Sequence, residues 1–247
     1  MTISNLSRHA VGSGLRPRRT TLESAGYLAV GTVVLYVVAT LAGSVFDPSY
    51  SQIRQHISDL TAIDAPTWAA LAPLYVLYNV LAAAFAIQLY RSSSGGRLWQ
   101  VGTGLLVVNA FSGVMMVTFF REDAGGIYAT TMSTTGAGHI VFASLSSLVI
   151  VVASFVYAIA FRRSSAWRPL AAFSFIVGVG FAVLGPLAGY AAAQKSDLAG
   201  LAERGPIGLF ILWQLVVGMF AIVLARRHAK EAPPVPREVP AVGGSTW

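Results

Sequence analysis

The chain has 247 residues, of which 55% are hydrophobic and only 11% charged, and its mean hydropathy is +0.66. A soluble domain carries about 25% charged residues, so a water-soluble globule is excluded. The formal charge of +7 would suit nucleic acid, but the basic residues gather at the ends of apolar runs, where membrane topology accounts for them and nucleic-acid binding is not expected. The absence of cysteine removes disulfides, thiolate metal ligands and cysteine nucleophiles.

Residues 1–24 are polar and read as a disordered arm. The apolar run that follows is too long for the core of a cleavable signal, roughly 7–15 residues, and is read as a retained span over residues 25–46. Five more spans are predicted over residues 68–90, 98–120, 139–161, 169–193 and 207–225. At 1.5 Å per residue, about 20 residues cross a hydrocarbon core of about 30 Å. The proline-rich stretch over residues 226–247 reads as a disordered tail. The predicted fold class is therefore all-α: a polytopic membrane protein with a six-transmembrane-helix bundle over residues 25–225, placed in the cell membrane and contacting membrane lipids.

The loops alternate in charge. The amino-terminal arm, the loops "RSSSGGR" and "RRSSAWR" and the tail together hold 13 of the 17 Lys and Arg residues. The opposite side holds Arg54, Arg121, Lys195 and Arg204, together with Asp47, Asp59, Asp64, Glu122, Asp123, Asp197 and Glu203. By the positive-inside rule both termini are expected in the cytoplasm. Nearly every residue able to do acid, base or metal chemistry then lies on the extracytoplasmic side.

Three outer segments carry that chemistry. In "SQIRQHISDLTAIDAP", Ile53, Ile57 and Leu60 recur at helical spacing and predict a short amphipathic helix lying in the headgroup region. His56 and Asp59 stand one turn apart, as a base with an orienting carboxylate, as part of a metal site, or as solvated residues of a connector. In "FFREDAGGIYATTMSTTGAGH", Asp123 and His139 are expected at similar depth on neighbouring helices, where a hydrogen bond would fix the imidazole tautomer. The alternative is that Glu122 and Asp123 end a helix, with Glu122 beside Arg121. In "QKSDLAGLAERGPIG", Glu203 suits a helix start, and Arg204 suits a phosphate or carboxylate head group.

Within the spans, Asn79, Asn109, Ser144, Ser146, Ser147 and Gln214 are expected to bond between helices. No charged residue falls at mid-span, which argues against a proton-coupled transporter of the usual kind. H-E-x-x-H, G-x-S-x-G, P-loop and dinucleotide motifs are absent.

The segments "ISDLTAIDAP", "FFREDAGG" leading to "HIVFA", and "GLAERGPIG" resemble, in order and spacing, the bacterial and archaeal membrane family called domain of unknown function 998. The resemblance covers about residues 25–225 and implies six helices. It draws attention to Ser58, Asp59, Leu60, Pro66, Asp123, His139, Ala143, Glu203 and Arg204. The family tends to carry Phe-Pro before the aspartate matching Asp123, whereas Arg121 and Glu122 stand here. It implies no particular reaction.

Two functions are compatible with these residues. One is a non-enzymatic membrane protein whose outer loops, through Ser58, Glu203 and Arg204, bind a lipid head group, small ligand or partner. The other is a membrane-embedded hydrolase or transferase acting on a lipidic substrate, with His56, Asp59, Asp123 and His139 as catalytic groups, Ser58 as nucleophile and zinc as a possible cofactor.

Overall fold

The computed structural model describes residues 19–93 and 95–231. They form six long helices: α1 (Arg19–Phe46), α2 (Trp68–Arg91), α3 (Arg97–Thr118), α4 (Thr134–Arg163), α5 (Ala171–Ala193) and α6 (Ala199–Glu231). All six are long and apolar enough to cross a membrane, and no strand occurs among the described residues. The protein is thus an all-helical, multi-pass membrane protein. Each helix packs against its neighbours in sequence, and α6 returns to pack against α1, so the bundle is a closed ring. One end of the ring carries the start of α1 and the end of α6; we call it the terminal end, and the opposite end distal.

The count and order of helices are as expected, while several ends move. The first helix begins at Arg19, so residues 19–24 are helical rather than part of a disordered arm. Likewise α6 runs to Glu231, into the segment expected to be a tail; residues 1–18 and 232–247 lie outside the described residues. The fourth helix starts five residues early because Ser133 caps it, accepting the Gly136 N–H at 3.0 Å. The sixth starts at Ala199 in spite of Pro206. Its first turns are held from outside, by a bond from the Leu201 N–H to the Ile53 carbonyl at 2.9 Å.

The core has two main zones. Towards the terminal end, Phe85, Trp99, Tyr157, Phe161, Trp167 and Trp213 are buried together. Trp167 stacks on Phe161 at 5.4 Å, and Trp99 meets Tyr157 edge-on at 5.8 Å. The buried Trp213 N–H donates to Ser174 Oγ at 2.9 Å, so the ring leaves no donor stranded. At the distal end a smaller zone joins Ala39, Tyr50, Ile57, Leu60, Leu71 and Tyr75. Between them, Ser146 donates to Asn109 Oδ1 and Thr40 meets Tyr75 at 3.2 Å, tying neighbouring helices by about 0.6–2 kcal/mol per bond. Asn79 instead bonds back to the Tyr75 carbonyl of its own helix. Outward-facing Val34, Val38, Leu41, Ile176, Val183 and Leu187 are exposed, as a lipid-facing surface requires.

Trp213→Ala would remove a ring that bridges Phe85, Tyr157 and Phe210. It is expected to lower stability by about 3–5 kcal/mol, whereas Phe175→Ala, on the exposed face, should leave the thermal unfolding midpoint in detergent nearly unchanged.

Candidate functional site: a clamped loop and its buried histidine

The segment between α1 and α2 is not the amphipathic helix its spacing predicts. It is a series of turns ending in a short 3-10 helix, Ser58–Thr61. Ile57 and Leu60 plunge into the distal core, while Ile53 is 53% exposed. Regular helix is lost because its carbonyls are claimed from outside: those of Ile53 and Gln55 accept from Leu201 and Arg204.

Two adjacent acid–base pairs hold this loop, one from each side. At the start of α6, Arg204 spends all five of its N–H donors inside the protein. Nε reaches Gln52 Oε1 at 2.9 Å, Nη1 reaches the carbonyls of Gln55 and Gly200 at 2.9 and 2.8 Å, and Nη2 reaches Tyr50 Oη at 2.6 Å and Gln52 Oε1 at 2.5 Å. Its neighbour Glu203 accepts the Ile57 N–H at 2.5 Å. Just beyond α3, Arg121 donates to the Thr61 carbonyl at 3.0 Å and to the Ala62 carbonyl, with its guanidinium 4.5 Å above the Trp68 ring. The Glu122 carbonyl in turn accepts the Ile63 N–H at 2.8 Å.

This double clamp places His56 against carboxylates. Its Nδ1 lies 3.7 Å from Glu122 Oε1, and the two side chains are only 12% and 14% exposed. Asp59 does not orient the ring, as expected from spacing; its Oδ2 accepts the backbone N–H of His56 at 2.9 Å. Burial by itself would lower the His56 pKa, but contact with Glu122 and the charges of Glu203, Glu122 and Asp59 override it and raise it from 6.5 to about 9. Burial, reinforced by Glu122, raises Asp59 from 3.8 to about 7. For Glu122 burial would raise the pKa, yet contacts with His56 and Ser58 and the charge of His139 hold it below its ordinary value. His56 Nε2, Asp59 Oδ1 and Glu122 Oε2 are buried with no hydrogen-bond partner.

Gly126 closes the cluster from above. Its φ is +55°, and a Cβ there would lie 1.8 Å from Asp59 Oδ1, so glycine is required both by conformation and by space. Gly200 plays the same part below Arg204, where a Cβ would fall 2.1 Å from the Gln55 carbonyl oxygen.

The expected Asp123–His139 bond is not formed. Asp123 accepts from Ser133, at 3.0 Å from its N–H and 2.5 Å from its hydroxyl, and so braces the cap of α4. His139 Nδ1 lies 2.9 Å from the Phe120 carbonyl, which can only accept, so Nδ1 carries a proton. Arg204, expected to anchor a head group, has no N–H left for one in this conformation. Sequence reasoning treated Arg121 and Glu122 as a helix terminus and thereby missed the partner of His56. The available signal was the repeated acid–base dipeptide, Arg121-Glu122 and Glu203-Arg204, at two helix ends of the same side.

Among the described residues, no group of three or more His, Asp or Glu side chains is arranged to hold a metal ion. A family model described as "Protein of unknown function (DUF998)" matches residues 29–220. No curated protein and no solved structure matches the sequence.

Because the folded His56 binds its proton more tightly than the unfolded chain does, its contribution is complete below about pH 6.5 and is lost as pH rises through about 9. Asp59, also raised, contributes fully below about pH 3.8 and loses its contribution as pH rises through about 7. Glu122, lowered, works oppositely and loses its contribution on acidification. Thermal unfolding in detergent at pH 6.5 and 9.5 is expected to show lower stability at the higher pH. In Glu122→Gln the His56 pKa should fall and this part of the loss should shrink; histidine NMR titration measures the pKa directly. A second substitution, Gly126→Ala, is expected to destabilise by more than 1 kcal/mol, since φ is positive and the Asp59 carboxylate blocks the methyl.

Proposed function

The chain belongs to the DUF998 family of proteins of unknown function, and we propose that it is a non-enzymatic integral membrane protein whose distal cluster binds a polar ligand or lipid head group that donates hydrogen bonds. The observation that carries this reading is the pair of buried carboxylate oxygens that accept no hydrogen bond, Asp59 Oδ1 and Glu122 Oε2. An unmet buried polar group costs about 1–3 kcal/mol, more when charged, so a loop that retains two open acceptors is suited to receive a donor. Around His56 stand three carboxylates, Asp59, Glu122 and Glu203, each of which bears on its charge. The donors of Arg121 and Arg204 are spent on the loop, so the carboxylate oxygens left open there are acceptors. Two open carboxylate oxygens suit a primary amine or similar donor better than a phosphate, whose oxygens mainly accept.

Chemistry also favours binding over hydrolysis. Ser58 faces Glu122, a carboxylate held below its ordinary pKa, and such a group is a weak base for activating a hydroxyl. By the charge distribution of the loops, this end is the extracytoplasmic one.

The test is thermal unfolding of the full chain in nanodiscs of phosphatidylcholine, with and without phosphatidylethanolamine. Saturating amine-bearing lipid, at about 100 times its dissociation constant, is expected to add about 2.7 kcal/mol. That gain should vanish in Asp59→Asn/Glu122→Gln. An equal gain from phosphatidylglycerol, or none from the amine, would sink the reading.

A further inference from the structure

At the opposite, terminal end the charge balance is reversed. The described residues there include Arg19, Arg91, Arg97, Arg162, Arg163, Arg168, Arg226, Arg227 and Lys230. Glu23 is already paired with Arg19 at 2.8 Å. The other ion pairs among the described residues, Arg54–Asp197 and His56–Glu122, lie at the distal end. Neither Arg97 nor Arg163 therefore has an acidic partner among them.

These two arginines share one cleft. It lies between the start of α3 and the end of α4 and is lined by Gly96, Arg97, Trp99, Ala160, Arg163 and Ser164, among others. Its volume is about 200 Å³, below the roughly 300–1,000 Å³ of sites for drug-sized molecules, which suits a compact group rather than an extended one. Arg97 and Arg163 are both exposed residues. The floor is Trp99, 4% exposed and locked edge-on against Trp167 and Phe161, so this wall of the cleft is rigid. Gly96 caps α3 without a side chain, which leaves the first N–H groups of α3 free of any side-chain acceptor. A hydroxyl, Ser164, stands opposite at the end of α4.

We propose that this cleft is a phosphate-binding site, with Arg97 and Arg163 holding the phosphate group of an anionic phospholipid or of a free phosphate compound from two sides. Two guanidinium forks from different helices match the oxygens of one phosphate in a way that point charges do not. The position at the ends of two spanning helices is the depth at which lipid phosphates lie. The bound group would relieve the repulsion between two uncompensated cations that the fold brings to one cleft.

The experiment uses the full chain in phosphatidylcholine nanodiscs, titrated separately with dihexanoyl phosphatidylglycerol and with inorganic phosphate, and read by tryptophan fluorescence. A saturable response is expected in the native chain. It should weaken at least tenfold in Arg97→Gln/Arg163→Gln, weaken by less in Arg97→Lys/Arg163→Lys, and persist in Arg226→Gln/Arg227→Gln. A response to the lipid alone assigns the site to a phospholipid, and a response to inorganic phosphate assigns it to a soluble phosphate; either supports the site. The proposal is overturned if neither probe saturates, or if both glutamine variants lose the response equally, since the effect would then be the general charge of this end. Thermal midpoints of the variants, whose replaced side chains are exposed, confirm that each is folded.

Discussion

The distal half of this protein hangs on the guanidinium of Arg204. A loop of some twenty residues, with only the 3-10 turn Ser58–Thr61 as regular structure, sits at the mouth of a membrane bundle, and its peptide groups must find partners or face the bilayer edge unpaired. Arg204 supplies five donors at one point, and the loop bends around them. Gln52, Tyr50 and the Gln55 carbonyl converge on it from the loop, and Gly200 from its own helix. Once that bend is set, Ile57 and Leu60 fall into the apolar pocket between Ala39, Leu71 and Tyr75. The Arg121 guanidinium then fixes the far end of the same loop to Trp68.

Each arginine brings an adjacent glutamate, and this is how the charge chemistry of the site arises. The clamps need cations to reach carbonyl oxygens; their neighbours deliver anions to the interior of the loop. Glu203 takes a backbone N–H that the turn would leave unmet, while Glu122 faces an imidazole. Burial alone would strip His56 of its proton, so its charged state is a product of the surrounding carboxylates. The terminal end follows the opposite rule, with cations crowded and anions scarce.

The helices were legible in the sequence because their signal is additive: twenty apolar residues between polar loops can do little else. Helix ends were less so, since the Ser133 cap that starts α4 at Thr134 and the Leu201–Ile53 bond beside the start of α6 are not encoded in a hydropathy run. The spacing of Ile53, Ile57 and Leu60 pointed to a helix that long-range bonds from Leu201 and Arg204 prevent. His56 and Asp59 were readable as a polar pair in an apolar chain. Their geometry was not, because the partner of a histidine depends on which loop folds over it, and Glu122 lies far along the chain. Asp123 and His139 illustrate the same limit: both were placed at the right helix ends, yet each is satisfied by a nearer group, Ser133 and Phe120.

The closure of the ring by α6 against α1 also dictates an order of assembly. The loop over residues 47–67 leaves the first helix early, but the bonds that tie it to Glu203 and Arg204 span separations of 146 to 154 residues in the chain. While the middle helices insert, that loop has no Arg204 to bend around and no Glu203 to receive the Ile57 N–H. The loop is finished by the same event that completes the bundle, and a chain lacking its last helix keeps only the clamp from Arg121 and Glu122.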